Sequence, residues 1–215
     1  MSKPLLQVAL DALSLPEALE AVRELGHEVD VIEAGTILCF AEGTKAVANL
    51  RALFPEKIIL ADLKAADAGA VLAEMVFSAG ASWMTVICNA PPATKEKALE
   101  VARKYQGDIQ VELYGSWTFE DAAEWKASGI TQVIYHRGRD AEAAGQKWSE
   151  VDLAKIRKLA EMGMDVSVTG GLDIDSISLF KGIPVKAFIA GRNLCKCDNP
   201  AQMARDFKAE ISKFW

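Results

Sequence analysis

Ile58-Ile-Leu-Ala-Asp62-Leu-Lys64-Ala-Ala-Asp67 begins as an apolar, β-branched run and closes on three ionisable side chains. Its first part, Ile58 to Leu63, reads as a short buried strand, and Ala68 to Ala79 after it has the apolar spacing of a helix. A strand that feeds directly into a helix is half of a βαβ unit. The number of such units decides the fold.

Outward from this stretch the alternation continues in both directions. Further strand candidates are Leu5 to Leu10, Val29 to Glu33, Trp83 to Cys88, Ile109 to Leu113, Gln132 to Tyr135, Val166 to Thr169 and Ala187 to Ala190. Between them lie helix candidates Pro16 to Leu25, Thr44 to Leu53, Thr94 to Tyr105, Phe119 to Ser128 and Val151 to Met162, a short Ile174 to Phe180, and a final Asn199 to Phe214. Ser14, Thr94, Thr118 and Asn199 stand where N-caps are wanted. Gly26, Gly80, Gly107, Gly129 and Gly163 follow helical runs, where a left-handed C′ residue belongs. Eight strand–helix pairs spaced by roughly 30 residues predict an α/β fold, a (β/α)8 TIM barrel, as one domain over residues 1–215. A doubly wound open sheet competes, but Asp11 rather than a G-x-G-x-x-G run follows the first strand.

Composition narrows the function. A formal net charge of −6 argues against a nucleic-acid binder, which needs clustered Lys and Arg. Apolar runs last only a few residues, far short of the roughly 20 that cross a bilayer, so no membrane partner is expected. Met1-Ser-Lys-Pro4 carries no apolar signal region, and the expected location is the cytoplasm. Cys39, Cys88, Cys195 and Cys197 then read as reduced thiols. Cys195-Lys-Cys197 lacks a second Cys or His pair that would complete a zinc site.

In such barrels chemistry collects at the C-terminal ends of the strands. There the sequence places Asp11, Glu33, Asp62 with Lys64, Glu112, His136, Thr169-Gly170-Gly171 and Gly191-Arg192, and only the fourth strand, closing on Asn89, lacks an evident functional group. A single acid in such a place is often a helix cap, but ionisable groups at this many strand ends point to one shared rim. Glu33 and Asp62, on adjacent strands, offer the hard oxygen ligands that suit Mg2+, and Mn2+ would fit the same pair. Lys64 beside carboxylates stays protonated and is placed to stabilise an oxyanion, with Asp67 at the start of the next helix. Gly170 and Gly171 after the seventh strand, with Gly191 and Arg192 after the eighth, form a phosphate-clamp pattern. His136 and Arg139 lie on a small, polar loop of the kind that covers a site. His27 falls at the opposite rim.

With those residues in place, the chain resembles the orotidine 5′-monophosphate decarboxylase suprafamily, through Asp62-x-Lys64-x-x-Asp67 at the end of the third strand. The likeness runs over almost the whole chain, in Leu6-Gln-Val-Ala-Leu-Asp11, Ile32-Glu-Ala-Gly-Thr-Ile37, Thr85-Val-Ile-Cys88, Tyr135-His-Arg137, Val168-Thr-Gly-Gly171 and Phe188-Ile-Ala-Gly-Arg192. The resemblance implies a Mg2+-dependent carboxy-lyase that decarboxylates a phosphorylated 3-keto sugar acid, as in L-ascorbate breakdown. The same subgroup holds a formaldehyde aldolase with the same metal and phosphate residues. Glu112, Arg139 and Thr169 match the decarboxylase pattern, and a sugar-phosphate-binding barrel without catalysis is a third reading. By the same resemblance Asp11 holds substrate hydroxyls, Glu112 and His136 orient the sugar chain, and His136 with Arg139 hold a proton-donating water. Gly171, Gly191 and Arg192 take the phosphate, and Asp67 reaches a neighbouring subunit's site, which implies a homodimer with shared active sites.

Overall fold

The computed structural model describes residues 2–215. In chain order the elements are β1 (Leu5–Leu10), α1 (Leu15–Leu25), β2 (Val31–Ala34), α2 (Thr36–Glu42), α3 (Thr44–Leu53), β3 (Ile58–Ala65), α4 (Gly69–Ser78), β4 (Trp83–Ile87), α5 (Pro92–Lys104), β5 (Asp108–Leu113) and α6 (Phe119–Ala127). There follow β6 (Gln132–His136), α7 (Arg139–Ala143), α8 (Glu150–Glu161), β7 (Asp165–Thr169), a 3₁₀ turn (Asp175–Phe180), β8 (Val185–Ala190), α9 (Arg192–Cys195) and α10 (Pro200–Ile211). All eight strands pair in parallel with their sequence neighbours, and β1 pairs with β8, closing the barrel. The predicted (β/α)8 architecture is the one observed.

The strands are buried almost end to end because helices cover their outer faces while side chains fill the interior. Phe180, Phe188 and Phe207 are completely enclosed in the layer between barrel and helices. Ser14, Thr118 and Asn199 cap α1, α6 and α10 as expected, each accepting a backbone N–H. Thr94 does not cap: Pro91 and Pro92 open α5 earlier, and Thr94 lies buried inside it. Gly26 and Gly107 also differ from the expectation. Gly26 keeps right-handed backbone (φ −59°), and a Cβ there would stand 2.5 Å from the Phe54 ring, so the need is for space. Before Gly107 it is Gln106 that takes the left-handed turn (φ 58°). The four cysteines are free thiols, and no helix is long and apolar enough to cross a membrane among the described residues.

At the N-terminal rim cations satisfy loop carbonyls. Arg51 donates to the carbonyls of Gly80 (2.8 Å), Pro55 (2.9 Å) and Lys57 (2.8 Å) and to Ser82 Oγ (2.7 Å), tying two helix–strand loops together. Lys57 bonds the carbonyls of His27 and Val29 at 2.9 and 2.8 Å. The His27 ring rests edge-on against Phe54 at this rim, away from the C-terminal mouth.

Candidate active site

The third strand departs from regular pairing where the site begins. Ala61 pairs with Met84 and Ala65 with Val86, so β3 takes four steps against two on β4. Within this bulge Lys64 adopts φ 45°, a left-handed backbone that costs a non-glycine residue energy and marks functional positions. Its N–H leaves the ladder and donates to Thr85 Oγ1 at 2.8 Å. Simple alternation along a strand end does not describe how Asp62 and Lys64 meet: the bulge turns the Lys64 side chain back, so that Nζ lies 2.5 Å from Asp62 Oδ2 and 2.8 Å from Thr36 Oγ1. Asp62 Oδ1 accepts from Thr85 Oγ1 at 2.7 Å.

Lys64 Nζ also stands 3.0 Å from Glu112 Oε2, while Glu112 Oε1 contacts His136 Nδ1 at 2.5 Å. The Oε2 atom is buried and, apart from this ion pair, has no hydrogen-bond partner among the described residues. Tyr114 packs edge-on against the His136 ring, 5.0 Å between centroids. On the other flank Glu33 Oε2 accepts from Gln7 Nε2 at 2.5 Å.

Burial and mutual repulsion shape the charges. Burial pushes the Glu33 carboxyl well above the usual range, and Asp62 beside it adds to the shift. Glu112 is raised for the same two reasons, offset in part by His136 and Lys64. At Asp62 burial is outweighed by the Lys64 charge and by hydrogen bonds from Lys64, Thr36 and Thr85, so it lies below the ordinary carboxylate value. Burial would neutralise Lys64, but Asp62 and Glu112 overcome it and hold the ammonium charged. Three buried carboxylates thus share one lysine.

The site therefore holds an excess of acidic groups over cations. A divalent cation at Glu33 and Asp62 would offset it, and both groups are hard oxygen donors. Asp62 already spends its oxygens on Lys64, Thr36 and Thr85, whereas Glu33 Oε1 takes no hydrogen bond among the described residues. Nor is any set of three or more His, Cys, Asp or Glu side chains placed to hold an ion among those residues. The residues therefore fit a cation that uses two carboxylates and completes its shell with water and substrate oxygens, as Mg2+ does.

Across the mouth lie the glycine turns. Gly170 (φ 116°) and Gly171 (φ 58°) follow β7 in backbone that favours glycine, and a Cβ on Gly170 would collide with the Arg137 carbonyl. Gly191 precedes α9, whose first residue, Arg192, projects its guanidinium over the lip and meets Glu142 Oε2 at 2.9 Å. Thr169 Oγ1 bonds the Ile189 carbonyl at 3.2 Å.

One cavity of about 800 Å3 at the C-terminal mouth is lined by Asp11, Glu33, Asp62, Lys64, Glu112, His136, Arg139, Thr169, Gly170, Gly171, Gly191 and Arg192. Every predicted site residue is there except Asp67. That side chain is exposed, outside the cavity, and in the loop before α4 rather than at its start, which Ala68 and Gly69 form. Arg139 opens the short helix α7 instead of lying in a loop. Thr36 and Thr85 escaped the sequence reading although both fix Asp62 and Lys64. The signal for Thr85 was its place on the inner face of the fourth strand, three residues before its predicted end.

The fold and this mouth define a (β/α)8 barrel protein with a charged small-molecule site at the C-terminal ends of its strands. Residues 4–207 match the model of the Orotidine 5′-phosphate decarboxylase / HUMPS family, and the chain belongs to that family. It is 52% identical over 215 residues, all of both chains, to the 3-keto-L-gulonate-6-phosphate decarboxylase UlaD of a strain of Escherichia coli. A crystal structure of KGPDC from Streptococcus mutans matches it with a TM-score of 0.98 at 50% identity, covering 100% of each chain. A solved 3-hexulose-6-phosphate synthase also matches, with a TM-score of 0.90 at 32% identity over 96% of this chain and 99% of the other. The barrel alone does not separate those two relatives.

Proposed function

We propose that this chain is a carboxy-lyase that converts 3-keto-L-gulonate 6-phosphate to L-xylulose 5-phosphate and CO2, in L-ascorbate or sugar-acid catabolism in the cytoplasm. The observation that carries this reading is the Asp62–Lys64–Glu112–His136 chain of contacts at the barrel mouth. Full-length similarity to a decarboxylase of that name supports the choice of substrate.

In this reaction the bond between the carboxylate and its neighbouring carbon breaks, CO2 leaves, and the electron pair remains on the substrate as an enediolate. Lys64, charged and held by two carboxylates, presents Nζ to the oxygens on which negative charge develops. The bulge, with Asp62 and Thr36 on Nζ, fixes that ammonium before substrate arrives, so little reorganisation is needed. Glu112 Oε2, buried without a hydrogen bond, can accept a substrate hydroxyl, and its other oxygen holds the His136 ring in place. Asp11 reaches further hydroxyls from the opposite lip. His136 and Arg139 hold the water that returns a proton to the carbanionic carbon. Gly171, Gly191 and Arg192 bind the phosphate, anchoring the far end of the substrate. Bound at Glu33 and Asp62, Mg2+ would supply Lewis-acid stabilisation of the substrate oxygens.

The test is CO2 release from 3-keto-L-gulonate 6-phosphate, with Mg2+ and with EDTA. Release should require the metal and fall by about 10²-fold or more in Lys64→Ala, the order expected for losing one preorganised oxyanion partner. Release no greater than that of Lys64→Ala would refute the assignment. A formaldehyde-dependent hexulose phosphate product from ribulose 5-phosphate, made more efficiently, would favour the aldolase reading instead.

The active form we propose is a homodimer with shared sites. Asp67 lies outside its own cavity; Val71 and Met75, one turn apart on α4, expose apolar surface near it in sequence, and Phe40 on α2 is 86% exposed. Mixing inactive Asp67→Ala and Lys64→Ala chains under demonstrated subunit exchange should restore part of the activity. No recovery would argue for independent sites.

A further inference from the structure

Short helix α7 is held to the mouth in an unusual way. It buries none of its side chains, yet the chain on either side is pinned. Arg137 donates through Nη2 and Nε to the Gly170 carbonyl (2.8 and 3.2 Å) and through Nη1 to the Gln146 carbonyl (2.7 Å). Trp148 Nε1 donates to the same Gly170 oxygen at 3.2 Å. Between these pins, the side chains of α7 make one hydrogen bond among the described residues, from Arg192 Nη2 to Glu142 Oε2. The same carboxylate lies over Gly171 beside the Arg137 guanidinium: a Cβ built there would collide with Arg137 Nη2 and lie 2.7 Å from the Glu142 carboxyl carbon.

Glu142 therefore fills the space between Gly171 and Arg192. We infer that it is a positioning residue that occupies the subsite for the substrate's phosphate and competes with that phosphate for Arg192. The inference rests on the phosphate reading given above. The exchange is physically reasonable, because Arg192 and Glu142 are half- and quarter-exposed, and an ion pair of that kind is weak. A phosphate dianion offers the guanidinium more charge than one carboxylate, and bidentate geometry in place of the single contact that Glu142 makes. A phosphate seated on the Nη2 edge that Glu142 holds repels that carboxylate, displacing it and leaving α7 without its side-chain tether.

Calorimetric titration of the full-length protein with inorganic phosphate tests this, using wild type, Glu142→Gln, Asp140→Asn and Arg192→Ala, each checked for an unchanged thermal midpoint. Glu142→Gln should tighten phosphate binding about fivefold, the scale of one exposed ion pair. Asp140→Asn removes the same charge from the same helix without touching Arg192 and should change the affinity by less than about twofold. Arg192→Ala should weaken binding at least tenfold. If Arg192→Ala weakens phosphate binding but Glu142→Gln does not tighten it, the competitor role is overturned and the phosphate site stands. Equal tightening by Asp140→Asn would also overturn it, since a general field would then explain the effect. Unaltered binding in Arg192→Ala would remove the phosphate reading and this inference together.

Discussion

Arg51 and Lys57 at the N-terminal rim and the acid cluster around Lys64 at the C-terminal mouth use charge in opposite ways. At the N-terminal rim Arg51 and Lys57 meet neutral carbonyls, and each donor shortens or ties a loop. At the C-terminal mouth charges meet charges, carboxylates outnumber the one lysine they share, and a buried oxygen of Glu112 is left without a hydrogen bond. A cation surrounded by dipoles contributes stability with little dependence on anything that binds later. A crowd of buried carboxylates is unfavourable until a ligand or metal joins it. The same division between a stabilising face and a reactive face is general for this fold, and here the hydrogen-bond partners explain it.

Substitutions at the two rims should therefore separate activity from stability. The largest effect expected is the loss of activity in Lys64→Ala described above, read per folded enzyme because Asp62 and Glu112 lose their buried cation. The mirror case is Arg51→Ala. Its loss leaves several loop carbonyls without donors and should cost about 2–4 kcal/mol, lowering the midpoint by roughly 5–12 °C, while kcat/KM of the folded enzyme stays unchanged. A clear drop in kcat/KM would show that the rims are coupled. The smallest effect on stability, and the one with the unusual sign, is that of Glu33→Gln. It should abolish metal-dependent activity yet stabilise the metal-free protein by about 1–2 kcal/mol at pH 7, because it removes a buried charge raised by desolvation.

A pH series sharpens that last case. A carboxyl whose folded pKa lies above its unfolded value binds a proton more readily when folded, so its burial opposes folding at neutral pH. The opposition fades as pH falls through the folded pKa. Metal-free wild type should therefore gain on Glu33→Gln as pH is lowered from 7 toward the carboxylate range, and the two melting curves should converge. Parallel curves over that range would mean that Glu33 is not the group under strain.

The strands were legible because β-branched runs alternate with long amphipathic segments, a pattern that few folds share. What escaped notice was short or was fixed by tertiary contacts. Gly35-Thr-Ile-Leu-Cys-Phe reads as apolar and partly β-branched, yet forms α2, which has no side-chain cap and is held by packing against β3 and α3. Helices α7 and α9 are too short to show a period. The rim acids, Lys64 and the glycine turns could be placed from strand ends alone, because a barrel gathers all such ends at one mouth. Thr36 and Thr85 could not, since a hydroxyl in an apolar context says nothing about which carboxylate it will meet. Asp67 was readable as part of a motif, but its place outside the cavity depends on a left-handed turn at Ala68 that composition does not reveal.

The bulge in β3 limits what can be transplanted. Asp62 and Lys64 look like a portable pair two residues apart, and a designer would copy them onto any regular strand end. On an unbulged strand both side chains would rise in parallel from one face, the lysine amide would return to the ladder, and the ammonium would stand clear of Glu112. A graft of this chemistry has to carry the two extra residues of β3, the threonine opposite and the φ of 45° together, so the smallest movable unit is a piece of backbone.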